Sequence, residues 1–399
     1  MKDFDWQFVE FILQVPYFYC RKALYKKRFI VNNPLPNDVY VSRKRSKESD
    51  VRGDYYRDQT AIIHSMPFRR LKHKTQVFFS PDNDHVCTRI EHVMHVATIA
   101  TTICKGLEKA GWELNEELAG AIGLGHDLGH APFGHAGEEA ISMKLGRKDA
   151  FMHEINSYRV VEYLANNGNG LNLTYAVKDG IICHNGEKFE KQLEPRKEVV
   201  DLDGIKDKSY FPCTYEGCIV RLSDKIAYLG RDIEDAIISR LIKKSDIPKD
   251  IVRFLGDTNG EIINTLVLDV IETSIKENKI ALSDDKYDLV NELKEFNYKR
   301  IYSHERIEEY KTMCEKGIIR LFEYLTELYC KFGNDFEKYK NSKIKLDQAF
   351  GKYIEKMNAF YMREENIPNQ IITDYIGGMT DNFALECLYQ ITIPRPLEY

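Results

Sequence analysis

Proline and tryptophan are scarce in this 399-residue chain, at 12 and 2. No window reaches the roughly 18 consecutive apolar residues of a membrane-spanning helix. The start lacks a basic n-region and an A-x-A-like cleavage site, so it does not read as a secretory signal. There is no excess of positive charge: 57 Lys+Arg face 62 Asp+Glu, for a net charge of −5. No global basic field is available to hold extended nucleic acid, although a local patch could. The nine cysteines are odd in number and spread from Cys20 to Cys387. That pattern argues for reduced thiols in a cytoplasmic protein and against a disulfide framework. Cys213 and Cys218, in CTYEGC, have no matching second pair and are read as ordinary cysteines, not a zinc knuckle. With 43% hydrophobic and 30% charged residues the composition is globular, which excludes a disordered or fibrous chain.

Few breakers and long stretches of helical periodicity, with nothing alternating at period two for long, predict a mainly α fold. Residues 1–50 read as an N-terminal segment of loops and short helices. They carry two basic clusters, Arg21-Lys22…Lys26-Lys27-Arg28 and Arg43-Lys44-Arg45…Lys47, which are solvated surface or an oligomer or nucleic-acid contact. Residues 51–399 read as one large helical unit. Within it, 88–109 is a helix. His92, Val96, Ile99 and Ile103 form one stripe of it, and Ile90, Val93, Ala97, Ala100 and Cys104 a second. So broad an apolar face implies central burial. A second helix starts after the N-cap Asn115 and runs through Leu118 and Ile122 to His126, where Gly125, Gly129 and Pro132 end it. Residues 150–166 and 216–243 are further helices, and 285–345 holds helices with wide solvated faces. The stretch 185–215 has room for a short β-hairpin.

The sequence has only 11 histidines, and their placement carries the chemistry. His126, His130 and His135 crowd into GHDLGHAPFGHAGEEA beside Asp127, Glu138 and Glu139, among glycines that let backbone turn sharply and approach a ligand. A metal site needs imidazoles and carboxylates converging from different elements. His92 on the buried stripe, and His126 with Asp127 at the end of the next helix, meet that need. Asp224, in RLSDKIAYLGRDIEDA, is the best fourth ligand. At about 100° per residue, Asp224, Lys225, Tyr228 and Asp232 share one arc of about 100°. That face offers a metal ligand, a cation, an aromatic ring and a carboxylate acceptor, or is an amphipathic surface with i,i+4 pairs.

These residues carry a resemblance. His92, the doublet His126-Asp127 and the distant Asp224 look like the H…HD…D signature of HD-domain metal-dependent phosphohydrolases. TRIEHVMHV, GHDLGHAPFGHAGE, SDKIAYLGRDIEDA, the late DYIGGMTDNFA and the upstream IIHSMPFRRLKHKTQVF together resemble the deoxynucleotide triphosphohydrolases. Those include the bacterial dGTPases and the vertebrate SAM-and-HD-domain enzyme. The similarity runs in order from about residue 50 to 390. It implies an HD-domain helical core elaborated with additional helices. It also implies hydrolysis of a dNTP to deoxynucleoside and triphosphate by water attack at the α-phosphorus.

By the same resemblance His92, His126, Asp127 and Asp224 hold one divalent metal ion, with Mn²⁺ first and Mg²⁺, Co²⁺ or Fe²⁺ also suited. His135 and Glu138 match the catalytic pair, His130 touches phosphate, and His153 supports as acid or phosphate contact. Arg89 and Lys225 bind phosphates, Tyr228 packs under the sugar and crowds a 2′-OH, and Gln76 and Asp232 take the 3′-OH. Tyr302 lies near sugar or base. Arg69 and Arg70, in FRRL, are a salt-bridge network or a functional pair. The family implies a homo-oligomer (hexamer or tetramer), a dNTP effector and binding of single-stranded DNA as an added property. Two rival functions are another HD-domain nucleotide phosphatase or phosphodiesterase, and a nucleotide-sensing or nucleic-acid-binding protein.

Overall fold

Helical periodicity governs nearly the whole chain. The computed structural model describes residues 30–77, 86–185, 189–364 and 367–394, and from Val31 onward they belong to one compact unit. In chain order the principal helices are α1 (Gly53–Ile63), α2 (Arg89–Lys109), α3 (Glu116–Gly125), α4 (His135–Lys144), α5 (His153–Arg159) and α6 (Tyr175–Ile182). They continue with α7 (Tyr215–Ile238), α8 (Asn259–Glu277), α9 (Asp284–Asn297), α10 (Glu305–Phe332), α11 (Lys345–Tyr361), α12 (Ile367–Gly377) and α13 (Asp381–Thr392). The fold is mainly α.

Local chemistry sets the ends of the ligand-bearing helices. The Thr88 backbone N–H donates to the Glu91 carboxylate at 2.7 Å, so α2 opens on a capping box. The Asn115 side chain accepts from the amides of Glu117 and Leu118 and starts α3. Thr214 accepts from the Gly217 amide and starts α7. The long amphipathic pattern toward 243 stops at Ile238 because Arg240 adopts a left-handed backbone, φ 57°. The pattern over 150–166 is likewise split, into α5 and a wide π-type turn, Val160–Leu164.

The one two-stranded pairing among the described residues differs from the expected hairpin. Gln192–Leu193 lies in the anticipated stretch, but pairs antiparallel with Ile280–Ala281 far along the chain. That strand follows α8, so sheet pairing here pins a long-range contact and turns no corner.

Two large apolar clusters, with a small third around Tyr158, Ile182 and Leu202, fill the unit. The first packs α2, α3 and α7 with α1, α6 and α8 around Val96, Ile103, Ile122, Ile226 and Leu229. The second gathers α10–α13 with α4 around Ile318, Leu325, Phe350 and Ile372. The loop between α3 and α4 belongs to both: Leu128 sits in the first cluster, Ala131 and Phe133 in the second. The basic residues at 43–47 are partly consumed inside the fold, since Arg43 pairs with Asp58 (2.5 Å) and Asp54 (3.1 Å) and Lys44 with Glu162 (3.1 Å). The 21–28 cluster lies outside the described residues. Cys213 and Cys218 are buried free thiols.

The crossing of α2 and α3 depends on a missing side chain. A Cβ on Gly123 would stand 2.8 Å from the Ala97 Cα. Gly123→Ala should therefore wedge the two helices apart and cost roughly 1–3 kcal/mol, read as a lower urea midpoint. An unchanged midpoint would show that the crossing has slack.

Candidate metal centre and active site

Helix geometry delivers three of the four expected ligands to one point. His92 Nε2 lies 2.9 Å from Asp224 Oδ1, which joins α2 to α7. His126, capping the C-terminus of α3, sets its Nε2 3.7 Å from the same Asp224 oxygen and 3.8 Å from Asp127 Oδ1. The ligand atoms of His92, His126 and Asp224 all lie within 4.8 Å of one another, and all three residues are buried. Asp127 borders this trio and is salt-bridged to Arg89 at 2.5 Å.

The donor set fits a divalent metal. His126 Nδ1 is 2.7 Å from the Gly123 carbonyl, which can only accept, so Nδ1 carries the proton. Nε2 is then an unprotonated lone pair, buried with no hydrogen-bond partner among the described residues. A backbone acceptor that fixes the tautomer is the usual support of a metal-binding imidazole. Burial lowers the His126 pKa against the pull of Asp127 and Asp224, keeping the ring neutral. Burial alone would raise the Asp224 carboxyl, but its hydrogen bond to His92 and the nearby His126 hold it well below the carboxylate range. Asp127 is held down in the same way, by Arg89 against burial. The site thus presents the neutral His126 nitrogen beside two ionised carboxylates, forms that bind a cation.

A second cluster adjoins the first. Glu138, in the first turn of α4, sits beneath three imidazoles. His130 Nδ1 is 2.6 Å from Glu138 Oε1, His153 Nδ1 3.1 Å from the same oxygen, and His135 Nδ1 3.7 Å from Oε2. The His130 and His153 rings stack at 4.1 Å. His130 Nε2 also lies 3.8 Å from Asp127 Oδ1, which links the two clusters. Protonation divides unevenly among them. Burial opposes charging of His153, but Glu154 and Glu138 overcome it and raise its pKa to about 10, so the ring is cationic. Burial, with Arg89 adding to it, drives His130 well below its ordinary value, so that ring is neutral. Burial opposes ionisation of Glu138, but the cationic His153 and the hydrogen bonds of the flanking imidazoles hold it well below its ordinary value. Most of the trio is buried; His135 is the exception, with its side chain 61% exposed.

Close backbone packing shapes the loop that carries these groups. A Cβ on Gly129 would meet the Ser157 amide at 2.1 Å, so only glycine lets the loop pass α5. Phe133 and Gly134 have positive φ, 62° and 60°. The strained Phe133 is held by its amide, which donates to Asp381 Oδ1 at 2.9 Å. Asp381 Oδ2 accepts from the Thr75 amide at 2.8 Å. The buried Lys74 ammonium donates to the carbonyls of His130 and Gly377.

The remaining expected contacts fall around this centre. Arg89 directs Nη1 to Asp127 and Nη2 to the Gln76 carbonyl, 3.4 Å away. The Gln76 side-chain oxygen is buried without a partner among the described residues. Tyr302 donates its hydroxyl to Asp232, and Tyr228 is packed against the first cluster on the same helix as Asp232. Burial raises the Asp232 carboxyl to about 7. Lys225 bonds Glu190 at 2.7 Å and lies over the Phe189 ring, so its ammonium is held by an acid from the preceding loop. Burial brings Lys225 down to about 8 against Glu190. His153, expected near a helix end, is the first residue of α5 and is buried.

The sequence reading passed over two residues. Glu190 neutralises both Lys225 and Arg221 (2.5 Å). His184 lies edge-on to His126, ring centroids 4.9 Å apart, and 5.3 Å from His153. It repeats the His126 device: Nδ1 faces the Ile181 carbonyl three residues back, at 2.6 Å, and Nε2 is buried and unpartnered among the described residues. The available signal was a histidine just past an apolar helix end, as in the GLGH of His126. Arg69 is exposed and Arg70 partly buried, and neither forms an ion pair among the described residues.

Residues 89–229 match the HD domain family model, and residues 280–390 match the phosphohydrolase-associated domain. The first of these spans all four expected ligands and the Glu138 cluster. A deoxyguanosinetriphosphate triphosphohydrolase-like protein of Caldanaerobacter subterraneus subsp. tengcongensis is 39% identical over 89% of this chain and 90% of its own length. Like-named proteins of Desulfatibacillum aliphaticivorans and Clostridium tetani are 37% and 35% identical, over 91% and 89% of this chain. With an HD core, a matched associated domain and similarity over almost the whole length, the chain belongs to the deoxyguanosinetriphosphate triphosphohydrolase-like family of HD-domain phosphohydrolases.

Proposed function

We propose that the chain is a metal-dependent dNTP triphosphohydrolase that releases a deoxynucleoside and intact triphosphate. The observation that carries the reading is the adjacency of two clusters. His126 and its two buried carboxylates stand beside Glu138, linked through Asp127 and His130 at 3.8 Å, and Glu138 is flanked by histidines whose pKa values are shifted in opposite directions. His92, His126, Asp127 and Asp224 would hold the metal, Mn²⁺ first by donor type. Bound there, it polarises the α-phosphoryl oxygens and stabilises their growing charge.

The other roles belong to the chain itself. Glu138 orients the histidines around the reacting phosphorus. His135 reaches solvent and can return its proton, so it serves as the acid that protonates the departing 5′-oxygen. The cationic His153 and neutral His130 line the phosphate path; His153 offsets the developing negative charge. Arg89, already aimed at Asp127, turns its second nitrogen to phosphate, and Lys225 exchanges Glu190 for a phosphate oxygen. The Tyr302–Asp232 pair accepts and donates at the 3′-hydroxyl with Gln76, while Tyr228 fills the room a 2′-hydroxyl would need.

Product identity tests the reaction. With any of the four dNTPs and Mn²⁺, the phosphorus product should be triphosphate; orthophosphate or pyrophosphate as primary product would instead indicate a phosphatase or phosphodiesterase. Asp127→Ala should lose bound metal by elemental analysis. Glu138→Gln should keep the metal and drop kcat by about 10²–10⁴; wild-type turnover in the metal-loaded variant would remove Glu138 from the mechanism. Tyr228→Ala should narrow the preference for deoxy- over ribonucleotide by about tenfold in kcat/KM. A preference left intact would assign sugar discrimination to another residue.

A further inference from the structure

A cavity of about 540 Å³ lies apart from the metal centre, walled by Met66–Arg70, the π-type turn after α5, and helices α11–α13. Its size falls within the range of small-molecule sites. Its chemistry is lopsided. Arg70 stands in the wall with its guanidinium near Gly378, and has no ion-pair partner among the described residues. Lys352 and Lys356, one turn apart on α11, are exposed cavity-lining residues and likewise lack an acid among the described residues. The one carboxylate in the wall among the described residues, Asp374, is already taken up by Arg159 (2.8 Å), the Tyr361 hydroxyl (3.0 Å) and Gln370 (2.8 Å). Among the described residues three cations therefore face a space whose one acid is neutralised, an arrangement that favours an anion. The remaining wall is largely apolar and aromatic, with Tyr353, Met357 and Phe383. Tyr375 adds a buried hydroxyl with no partner among the described residues.

The cavity touches the catalytic loop through one short segment. Gly378, Met379 and Thr380 line it. On either side, the Gly377 carbonyl shares the Lys74 ammonium with His130, and Asp381 holds the amides of Thr75 and Phe133. Anything that presses on residues 378–380 bears on the backbone that positions His130 to His135.

We propose that this cavity is a second ligand site, which takes a small organic anion with a flat apolar body. The acidic group meets Arg70 and the lysine pair, and the ring packs against Tyr353 and Met357. Occupancy steadies the His130–His135 loop through Gly377 and Asp381. The proposal stands whether or not the metal centre hydrolyses dNTPs.

Anilinonaphthalene sulfonate, which combines an anion with a flat apolar body, is a suitable probe, followed by fluorescence on the full chain. Binding should saturate at one probe per chain. Arg70→Gln should weaken it about ten- to hundredfold, and the surface double variant Lys352→Gln/Lys356→Gln should weaken it less. Asp127→Ala protein should bind the probe as wild type does. Unaltered affinity in both cation variants, or loss of binding with Asp127→Ala, overturns the site. Saturating probe should slow amide hydrogen exchange at residues 130–135 several-fold, and unchanged exchange there overturns the coupling.

Discussion

Burying two carboxylates side by side is the constraint on which the rest of this structure depends. Asp127 and Asp224 are almost wholly withdrawn from water, and an uncompensated buried charge is strongly unfavourable. The chain compensates each differently. Asp127 receives the Arg89 guanidinium, itself 2% exposed. Asp224 receives an imidazole edge from His92. Removing one member of such a buried pair costs roughly 3–5 kcal/mol. The residues that create the metal pocket are therefore also the ones that lock α2, the end of α3 and α7 together. Neither pairing exhausts the carboxylates, and the unprotonated His126 nitrogen faces the same space. A divalent cation would supply the charge and the partners that these groups leave unmet.

The loop between α3 and α4 extends this logic across the molecule. It leaves the first apolar cluster at Leu128 and enters the second at Ala131 and Phe133. Its strained backbone persists because distant groups over-determine it: Ser157 against Gly129, Lys74 at His130 and Asp381 at Phe133. The late segment around Asp374 and Asp381 thus serves the site without touching the metal ligands. One acid anchors Arg159; the other holds two amides from separate parts of the chain. The matched associated domain, residues 280–390, includes both acids.

Much of the site was legible in the sequence because its spacing is helical and local. His92 falls on a buried stripe, His126 and Asp127 close a helix, and Lys225, Tyr228 and Asp232 follow Asp224 on one arc. The i,i+3 relation of His135 and Glu138 was also legible, but it proved the longest of the three imidazole contacts at 3.7 Å. The tighter partners, His130 and His153, reach Glu138 from a turn and from another helix, so no spacing rule predicts them. Glu190 and His184 escaped for the same reason. Each matters through what folding brings beside it, a buried Lys225 in one case and the His126 ring in the other.

Periodicity by itself determined a mainly helical chain and the central burial of 88–109, because the helical turn sets those relations. The proposed metal ligands, on α2, at the end of α3 and on α7, came from residue type and family resemblance. Only the tertiary structure decided which groups carry charge. His153 becomes cationic and His130 neutral, though the two rings stack at 4.1 Å. The reason is physical: the free energy of a proton in a buried site depends on every charge and dipole around it. Those neighbours come from α4, α5 and the loop between α3 and α4, elements that meet only when the chain has folded.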